Sequence, residues 1–135
     1  MPEPEILQLL PGETATIAVK AGARYSATLI AVAPGEGYEV TPLAGQRWVD
    51  LVIPSSPAGY TNMLAKWVGM RVPSALCMCL CAAFNEQDTN ALPVGNGRHI
   101  TNIPVAGTMS FFANDVPGFE WNNFGTIQIV VARIH

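Results

Sequence analysis

The chain has 135 residues, of which 50% are hydrophobic and only 13% charged, and its formal net charge is −3. Soluble domains usually carry about 25% charged residues, so we expect part of the surface to be covered by an oligomer or a larger assembly. An acidic chain with only seven Lys and Arg excludes a nucleic-acid binder that works by neutralising phosphates. No apolar run reaches the roughly 18 residues that a membrane helix needs. Neither nucleic acid nor a membrane is therefore an expected partner.

The N-terminus does not have the composition of a secretory leader. Residues 1–5 are acidic and contain two prolines, whereas a signal peptide is basic and then apolar. We expect synthesis in the cytoplasm without a cleaved signal peptide. The protein would then leave the cytoplasm either by a leaderless export route or by incorporation into a virus particle.

Apolar and polar residues alternate with a period of two along most of the chain, and Gly/Pro turns separate the runs. The pattern predicts strands over residues 5–10, 14–21, 26–32, 38–43, 47–53, 74–83, 108–113 and 126–134. Short strands at regular spacing are typical of an all-β fold, here an antiparallel, jelly-roll-like β-sandwich.

Two segments do not follow this alternation. Residues 85–101 are rich in Asn and Gly and are predicted as a polar loop. Residues 54–73 are left without an assignment, because the run from 63 to 70 fits either a helical turn or a strand. No internal repeat, low-complexity tract or charge block marks a boundary, so a single domain is predicted over residues 1–135.

Three cysteines, Cys77, Cys79 and Cys81, lie in one predicted strand at a spacing of two. Such residues point to one face of a strand and cannot easily pair, so reduced thiols are expected. If Leu76, Met78 and Leu80 face the core, the three thiols form an outward strip that an interface would cover. Structural zinc sites favour wider cysteine spacing, so the Cys-x-Cys-x-Cys run itself does not indicate one.

Hard oxygen ligands are concentrated before the last strand, in Asn114-Asp115-Val116-Pro117-Gly118-Phe119-Glu120-Trp121-Asn122-Asn123-Phe124-Gly125. A tight Pro-Gly turn allows the carboxylate of Asp115 and the amide oxygens of Asn122 and Asn123 to converge. Calcium takes six to eight such oxygens. The same residue types are also common in ordinary turns, and composition alone favours that interpretation.

The loop resembles the calcium loop of the PA-IL-type galactophilic lectins, which are small tetrameric β-sandwiches. The shared pattern is Asn-Asp-Val-Pro-Gly-x-x-x-Asn-Asn-x-Gly followed by an alternating strand. Weaker similarities follow in the family's order: Pro11-Gly12 through Thr16-Ile17 to Ala21-Gly22 and Tyr25, then Ala75-Leu76-x-Met78, then Gly107 before the loop.

The resemblance implies a calcium ion that recognises sugar hydroxyls directly. It would be held by the side chains of Asp115, Asn122 and Asn123 and by the backbone carbonyls of Phe119 and Tyr25. The implied sugar-binding residues are Asp115, Val116, Phe119, Asn122 and Trp121. Trp121 would either stack on a sugar's apolar face or contact another subunit.

The sequence also departs from the family. The family's galactose site uses a His and a Gln from mid-chain, yet no His lies between Tyr25 and the cysteines, and residues 37–73 do not align. Phe119, Glu120, Trp121 and Phe124 stand where the family has smaller or more polar residues. The sugar is therefore left open, although a galactoside is the family's ligand.

Nothing in the sequence indicates an enzyme. His99 lies in the predicted loop, His135 is the last residue, and Asp50 is expected to point outward from its strand, so no acid/base pair is apparent. Two functions remain. The first is a non-enzymatic, calcium-dependent carbohydrate-binding module that acts as an oligomer. The alternative is a structural assembly protein of the same fold, such as a virion decoration or cement protein that has lost sugar binding.

Overall fold

The computed structural model describes residues 4–135 as strands with one short helix. The strands are β1 (Glu5–Leu7), β2 (Thr14–Lys20), β3 (Thr28–Val32), β4 (Tyr38–Pro42), β5 (Trp48–Asp50), β6 (Ile53–Ser55), β7 (Leu80–Phe84), β8 (Gln87–Pro93), β9 (Arg98–Ile100), β10 (Gly107–Ala113), β11 (Asn123–Phe124) and β12 (Thr126–Arg133). The helix α1 spans Met63–Val68, and a 3-10 turn, η1, spans Glu120–Asn122. No helix within residues 4–135 is long and apolar enough to cross a membrane.

The strands form two main sheets and one small one. The five-stranded sheet has the order β1-β3-β10-β7-β8, the four-stranded sheet β2-β12-β4-β9, and the small sheet β11-β5-β6. All pairs are antiparallel except β1 with β3, which is parallel. The predicted all-β sandwich is confirmed.

The core lies between the two main sheets. On the four-stranded sheet, Ile127, Ile129 and Val131 alternate inward from β12 and are fully buried. On the five-stranded sheet, Leu80 and Phe84 of β7 join the same cluster. The period-two pattern therefore predicts correctly which residues of these strands build the core.

The predicted loop over residues 85–101 is wrong, because this segment contains β8 and β9. The residues that start it, Asn85 and Glu86, both have positive φ (54° and 52°) and make the tight turn that folds β8 back onto β7. The predicted strand 47–53 is likewise two strands, since Leu51 at φ 59° turns β5 into β6. Both turns use left-handed conformations that strand periodicity does not reveal.

The predicted outward strip of cysteines is wrong. Cys77, Cys79 and Cys81 are free thiols but buried, with 0%, 4% and 0% of their surface exposed. The strand does not begin until Leu80, and Met78 at φ 63° breaks the alternation before it.

The face of β7 that points away from the core is covered by the chain itself. Cys79 and Cys81 belong to a second apolar cluster that also contains Val72, Ala75, Ala83 and Phe112. Cys77 packs into the main core. The three thiols therefore give no surface for an interface, and the basis for placing one there is removed.

The expectation of no internal repeat was wrong, because the segments that contain the two strands flanking β12 share a short repeat. Residues 11–25 and 34–48 share Pro-Gly-Glu, then Ala-Gly-x-Arg and an aromatic residue, at a constant offset of 23. The two copies fold alike: Glu13 accepts a hydrogen bond from the Leu10 amide at 2.7 Å, and Glu36 from the Ala33 amide at 2.9 Å. β2 and β4, one from each copy, pair with opposite edges of β12.

Candidate functional site

The loop over residues 114–125 is fixed at its first residue. The fully buried Asn114 donates from its side-chain amide to the carbonyls of Val72, Ala75 and Leu76, at 3.0, 3.2 and 3.0 Å. Its Oδ1 accepts from the Val72 amide at 2.9 Å. The two N–H groups are shared among three carbonyls and the oxygen is also bonded, so the side chain is held in place and Asp115 begins the loop from a fixed position.

The far end of the loop pairs with β5. Asn123 lies opposite Asp50 in that pairing, and the Leu51 amide donates to the Asn122 carbonyl at 2.8 Å. The antiparallel register brings a second carboxylate, that of Asp50, to the loop that carries Asp115. Sequence spacing cannot show this contact, since more than 60 residues separate the two.

The loop, the β5–β6 hairpin and α1 enclose a cavity of about 290 Å³. Four predicted site residues line it: Asp115, Val116, Phe119 and Asn122. The others in the lining are Asp50, Leu51, Ile53, Tyr60, Asn62, Leu64, Ala65 and Val68. The lining therefore has two parts. The polar floor consists of Asp50, Tyr60, Asn62, Asp115 and Asn122, and the apolar wall is formed mainly by Leu64, Val68 and Phe119.

Three side-chain oxygens of the loop are buried and lack a hydrogen-bond partner within the described part of the chain: Asp115 Oδ2, Asn122 Oδ1 and Asn123 Oδ1. Each such buried acceptor costs about 1–3 kcal/mol when unpaired. Buried carboxylate and amide oxygens without donors are the ligands that a hard cation such as calcium takes. These are the same three side chains that the sequence resemblance assigns to calcium.

Asp50, which sequence reasoning placed outside, is buried beside the loop. Its Oδ2 accepts hydrogen bonds from the Tyr60 hydroxyl and, at 3.6 Å, from the Cys77 thiol. The prediction of an outward Asp50 was wrong because β5 places Trp48 and Asp50 inward and leaves Val49 half-buried. One ligand atom from each of Asp50, Cys77 and Asp115 lies within 4.8 Å of the others.

Asp115 and Cys77 are biased toward their neutral forms. Burial raises the pKa of the Asp115 carboxyl, and the nearby Asp50 and Glu120 add to the rise, although the hydrogen bond from the Val116 amide and the nearby Asn123 side chain oppose it. Burial, then the Asp115 charge, raise the pKa of the Cys77 thiol to about 12. A cation reverses this balance by favouring the charged forms.

The Tyr25 side chain points away from the cavity. Its hydroxyl donates to Asp88 Oδ1 at 2.5 Å, the Glu86 carbonyl oxygen lies 2.9 Å from the same hydroxyl, and its ring packs edge-on against Phe112. The role of its backbone carbonyl stays a prediction. In the second copy of the repeat the corresponding aromatic is Trp48, and the strand that it starts, β5, is the one that borders the loop.

The remaining aromatics of the loop are surface groups. Trp121 is 72% exposed and does not line the cavity, whereas Phe119, 46% exposed, does. Phe124 is 55% exposed. Phe119, Trp121 and Phe124 are thus all exposed, and the part played by Trp121 in sugar binding stays a prediction.

A buried ion pair supports the loop from behind. The Arg71 side chain is only 1% exposed and makes two bonds of 2.9 Å to Asp88. Its guanidinium carbon lies 3.6 Å from the ring centroid of Phe112, while its backbone amide donates to the Asp115 carbonyl at 2.9 Å. Arg71 therefore ties the loop to the second apolar cluster.

Comparison with known proteins supports the fold through structure and not through sequence. No protein-family model matches the sequence, and no curated protein matches it. Among solved structures, the chain is similar to the N-terminal domain of EclA, which is described as a PllA-like lectin. The TM-score is 0.61 at 20% identity, and the match covers 89% of this chain and 94% of that one. The chain has a PA-IL-like lectin fold.

Proposed function

We propose that this protein is a non-enzymatic, calcium-dependent carbohydrate-binding protein that acts as an oligomer. The observation that carries the proposal is the set of three buried, unpaired oxygens, Asp115 Oδ2, Asn122 Oδ1 and Asn123 Oδ1. They lie in a loop whose sequence resembles the calcium loop of the PA-IL-type lectins, in a chain with that fold. The similar EclA domain is described as a lectin, which supports the same function here.

The proposed role of the calcium is to hold two adjacent hydroxyls of the sugar. The loop supplies oxygens from Asp115, Asn122 and Asn123, and the predicted carbonyls of Phe119 and Tyr25 would add two more. Because calcium takes six to eight ligands, positions remain for a vicinal diol. When bound, the ion supplies the recognition of that diol.

The residues of the cavity suit a sugar that is held on one edge. Asp50, Tyr60 and Asn62 offer hydrogen-bonding groups beside the loop, and Leu64, Val68 and Phe119 form an apolar wall opposite. A pyranose has the same division between hydroxyl edges and apolar C–H faces. A volume of about 290 Å³ accommodates about one monosaccharide unit at the lower end of common ligand sites.

The experiment is calorimetry on chelator-stripped protein, titrated first with calcium and then with a panel of monosaccharides that includes galactosides. We expect one calcium per chain, and sugar binding only after calcium has been added. Asn122→Ala should weaken calcium binding at least tenfold, whereas Asn102→Ala, which removes an exposed amide far from the loop, should not change it. No calcium binding at millimolar concentration would refute the mechanism.

The alternative, a structural assembly protein such as a virion decoration protein, is favoured by a different observation. The three elements that enclose the cavity carry large apolar side chains that stand in solvent. Those of this apolar rim are Leu51, Val52, Ile53, Met63, Leu64, Trp67, Val68, Phe119 and Trp121, each 43–85% exposed. Patches of this kind mark interaction surfaces. Calcium-independent assembly through the rim, without sugar binding, would support the alternative.

A further inference from the structure

The inner wall of the cavity carries a second set of metal-ligating side chains, whose chemistry differs from that of the loop. Asp50 comes from β5, Asp115 from the loop, and Cys77 from the segment before β7. All three are at least nine-tenths buried, with exposures of 8%, 5% and 0%. One ligand atom from each lies within 4.8 Å of the other two.

We propose that Asp50, Cys77 and Asp115 bind a divalent cation of the zinc class, in a site that shares Asp115 with the proposed calcium centre. A tetrahedral zinc ion with bonds of 2.0–2.3 Å holds its ligand atoms roughly 3.5 Å apart. The Cys77 sulfur already lies 3.6 Å from Asp50 Oδ2. Small shifts of the side chains therefore close the site.

An independent observation points to a ligand at this position. Asp115 Oδ2 is buried and has no hydrogen-bond donor among residues 4–135, and Asp115 lines the cavity next to Asp50. A cation would pair with this buried carboxylate oxygen and offset the cost of burying its charge. The Cys77 thiol therefore lies beside a buried carboxylate oxygen that has no hydrogen-bond donor.

The neighbouring side chains complete the design of such a site. The Tyr60 hydroxyl donates to Asp50 Oδ2, which orients the carboxylate beside the Cys77 sulfur, as hydrogen bonds behind metal ligands commonly do. Three protein ligands leave a fourth position, which the cavity can supply with water or an exogenous group. When the metal binds, the Cys77 thiol becomes a thiolate and its proton is released to solvent.

Calcium and zinc-class cations differ in their affinity for a thiolate ligand. Calcium takes oxygen ligands and gains nothing from sulfur, whereas zinc and cobalt bind thiolates well. Because both centres use Asp115, occupancy by a zinc-class ion should weaken calcium binding. The inference does not require the protein to bind a sugar.

The test is titration of reduced, chelator-stripped protein with cobalt(II), followed by displacement with zinc. We expect one equivalent of cobalt to produce a thiolate charge-transfer band in the near ultraviolet together with the visible bands of a tetrahedral ion. Cys77→Ser should remove the charge-transfer band and weaken zinc binding more than tenfold. Asp50→Asn, which keeps an acceptor for Tyr60, should also weaken zinc binding more than tenfold.

Cys79→Ser is the matched control, because Cys79 is an equally buried thiol that lies in the second apolar cluster. It should keep the band and the zinc affinity. Full affinity in a folded Cys77→Ser protein, or loss of the band in Cys79→Ser, would overturn the proposal. If the protein binds calcium and sugar but shows no thiolate band with cobalt, the zinc-class site is wrong and the proposed function stands. If it shows the band but does not bind calcium, the proposed function is wrong and the zinc-class site stands.

Discussion

At Asp115, the charge state that favours calcium binding is the one that destabilises the metal-free fold. Burial raises the pKa of its carboxyl, so the charged form that a cation needs destabilises the metal-free fold. A carboxyl with a raised folded pKa makes the protein gain stability as pH falls from neutral toward the unfolded value of about 3.8. The contribution of Asp115 to the stability of the metal-free protein should therefore be least favourable at the pH where calcium would bind best.

The variant Asp115→Asn separates the two effects. It should lose calcium binding by at least tenfold, and yet the metal-free variant should unfold at a higher temperature than the wild type at neutral pH. The gap should narrow as pH is lowered, because the wild-type carboxyl becomes neutral as well. Thermal unfolding with and without calcium, from about pH 7 to about pH 4, measures both. A metal-free variant that is less stable at neutral pH would contradict the argument.

Arg71 and Asp88 form the second residue-scale system. Burial alone would raise the pKa of Asp88, but the hydrogen bonds and charge of Arg71, with the bond from Tyr25, hold it below the ordinary value. Stability from such a lowered pKa is present above the unfolded value of about 4 and is lost as pH falls through the folded one. The pair should therefore stabilise the protein at neutral pH and not in acid.

We predict that Asp88→Asn lowers the free energy of unfolding by about 3 kcal/mol at neutral pH, since the buried Arg71 charge loses its closest carboxylate and retains only the weaker ion pair with Glu120 at 4.0 Å. The difference between variant and wild type should shrink below about pH 4. Urea unfolding at the two pH values gives the measurement. Glu39→Gln, at an exposed carboxylate of β4, is the control and should have little effect at either pH. An equal loss at both pH values would mean that packing and not charge is responsible.

At the scale of elements, a glycine determines how the segment before α1 meets the cysteine segment. Gly59 has a φ of 86°, and a Cβ on it would lie 2.6 Å from the Cys77 carbonyl oxygen and 2.8 Å from the Cys79 nitrogen. The neighbouring Tyr60 makes an isolated β-bridge with Cys77. This close approach holds the Tyr60 hydroxyl at Asp50, so the backbone contact positions the polar floor of the cavity.

Gly59→Ala should therefore destabilise the protein by several kcal/mol and weaken ligand binding at the cavity. Gly12→Ala is a matched control, since Gly12 has nearly the same φ of 87° but nothing within 4 Å of an added Cβ. That control bears only the cost of the left-handed conformation, about 1–2 kcal/mol. The difference between the two variants in the free energy of unfolding by denaturant gives the cost of the close contact at Gly59. Equal losses would show that the backbone conformation alone matters at Gly59.

The elements also show what the sequence can and cannot predict. Strands β2, β4 and β12 alternate between exposed and buried residues, so their existence and their core faces follow from the pattern. The short pieces around the site do not: β5 and β6 are separated by Leu51 in a left-handed conformation, and α1 has only six residues. Periodicity needs longer runs than these to identify an element.

The same limit applies to the candidate site. Asp115, Asn122 and Asn123 were predicted because they lie within one loop that resembles a known motif. Asp50, Tyr60 and Cys77 reach that loop only through the pairing of β5 with β11 and the bridge between Tyr60 and Cys77. Contacts that depend on the register of distant strands leave no local signal in the chain.

For the molecule as a whole, the low content of charged residues is reflected in exposed apolar side chains. The thiols that seemed to need covering are buried by the chain itself, and the most exposed large apolar side chains lie instead in the apolar rim. Val52 and Trp67 are 82% and 85% exposed there. Side chains of this size in solvent favour association, so the proposed oligomer would form through the rim, with the cavities of two copies close to the interface.

The whole-molecule prediction is that replacing the most exposed rim residues disperses the oligomer without unfolding the chain. In the double variant Val52→Gln and Trp67→Gln, two apolar contacts become polar while the charge is unchanged, and neither side chain supports the core. We expect the wild type to be oligomeric and the double variant monomeric by light scattering after size exclusion, with both unfolding at similar temperatures. Lys66→Gln, one residue from Trp67 on the exposed side of α1, is the control and should remain oligomeric. If the double variant kept the wild-type mass, the rim would not be the interface, and its position around the cavity would instead favour contact with the bound ligand.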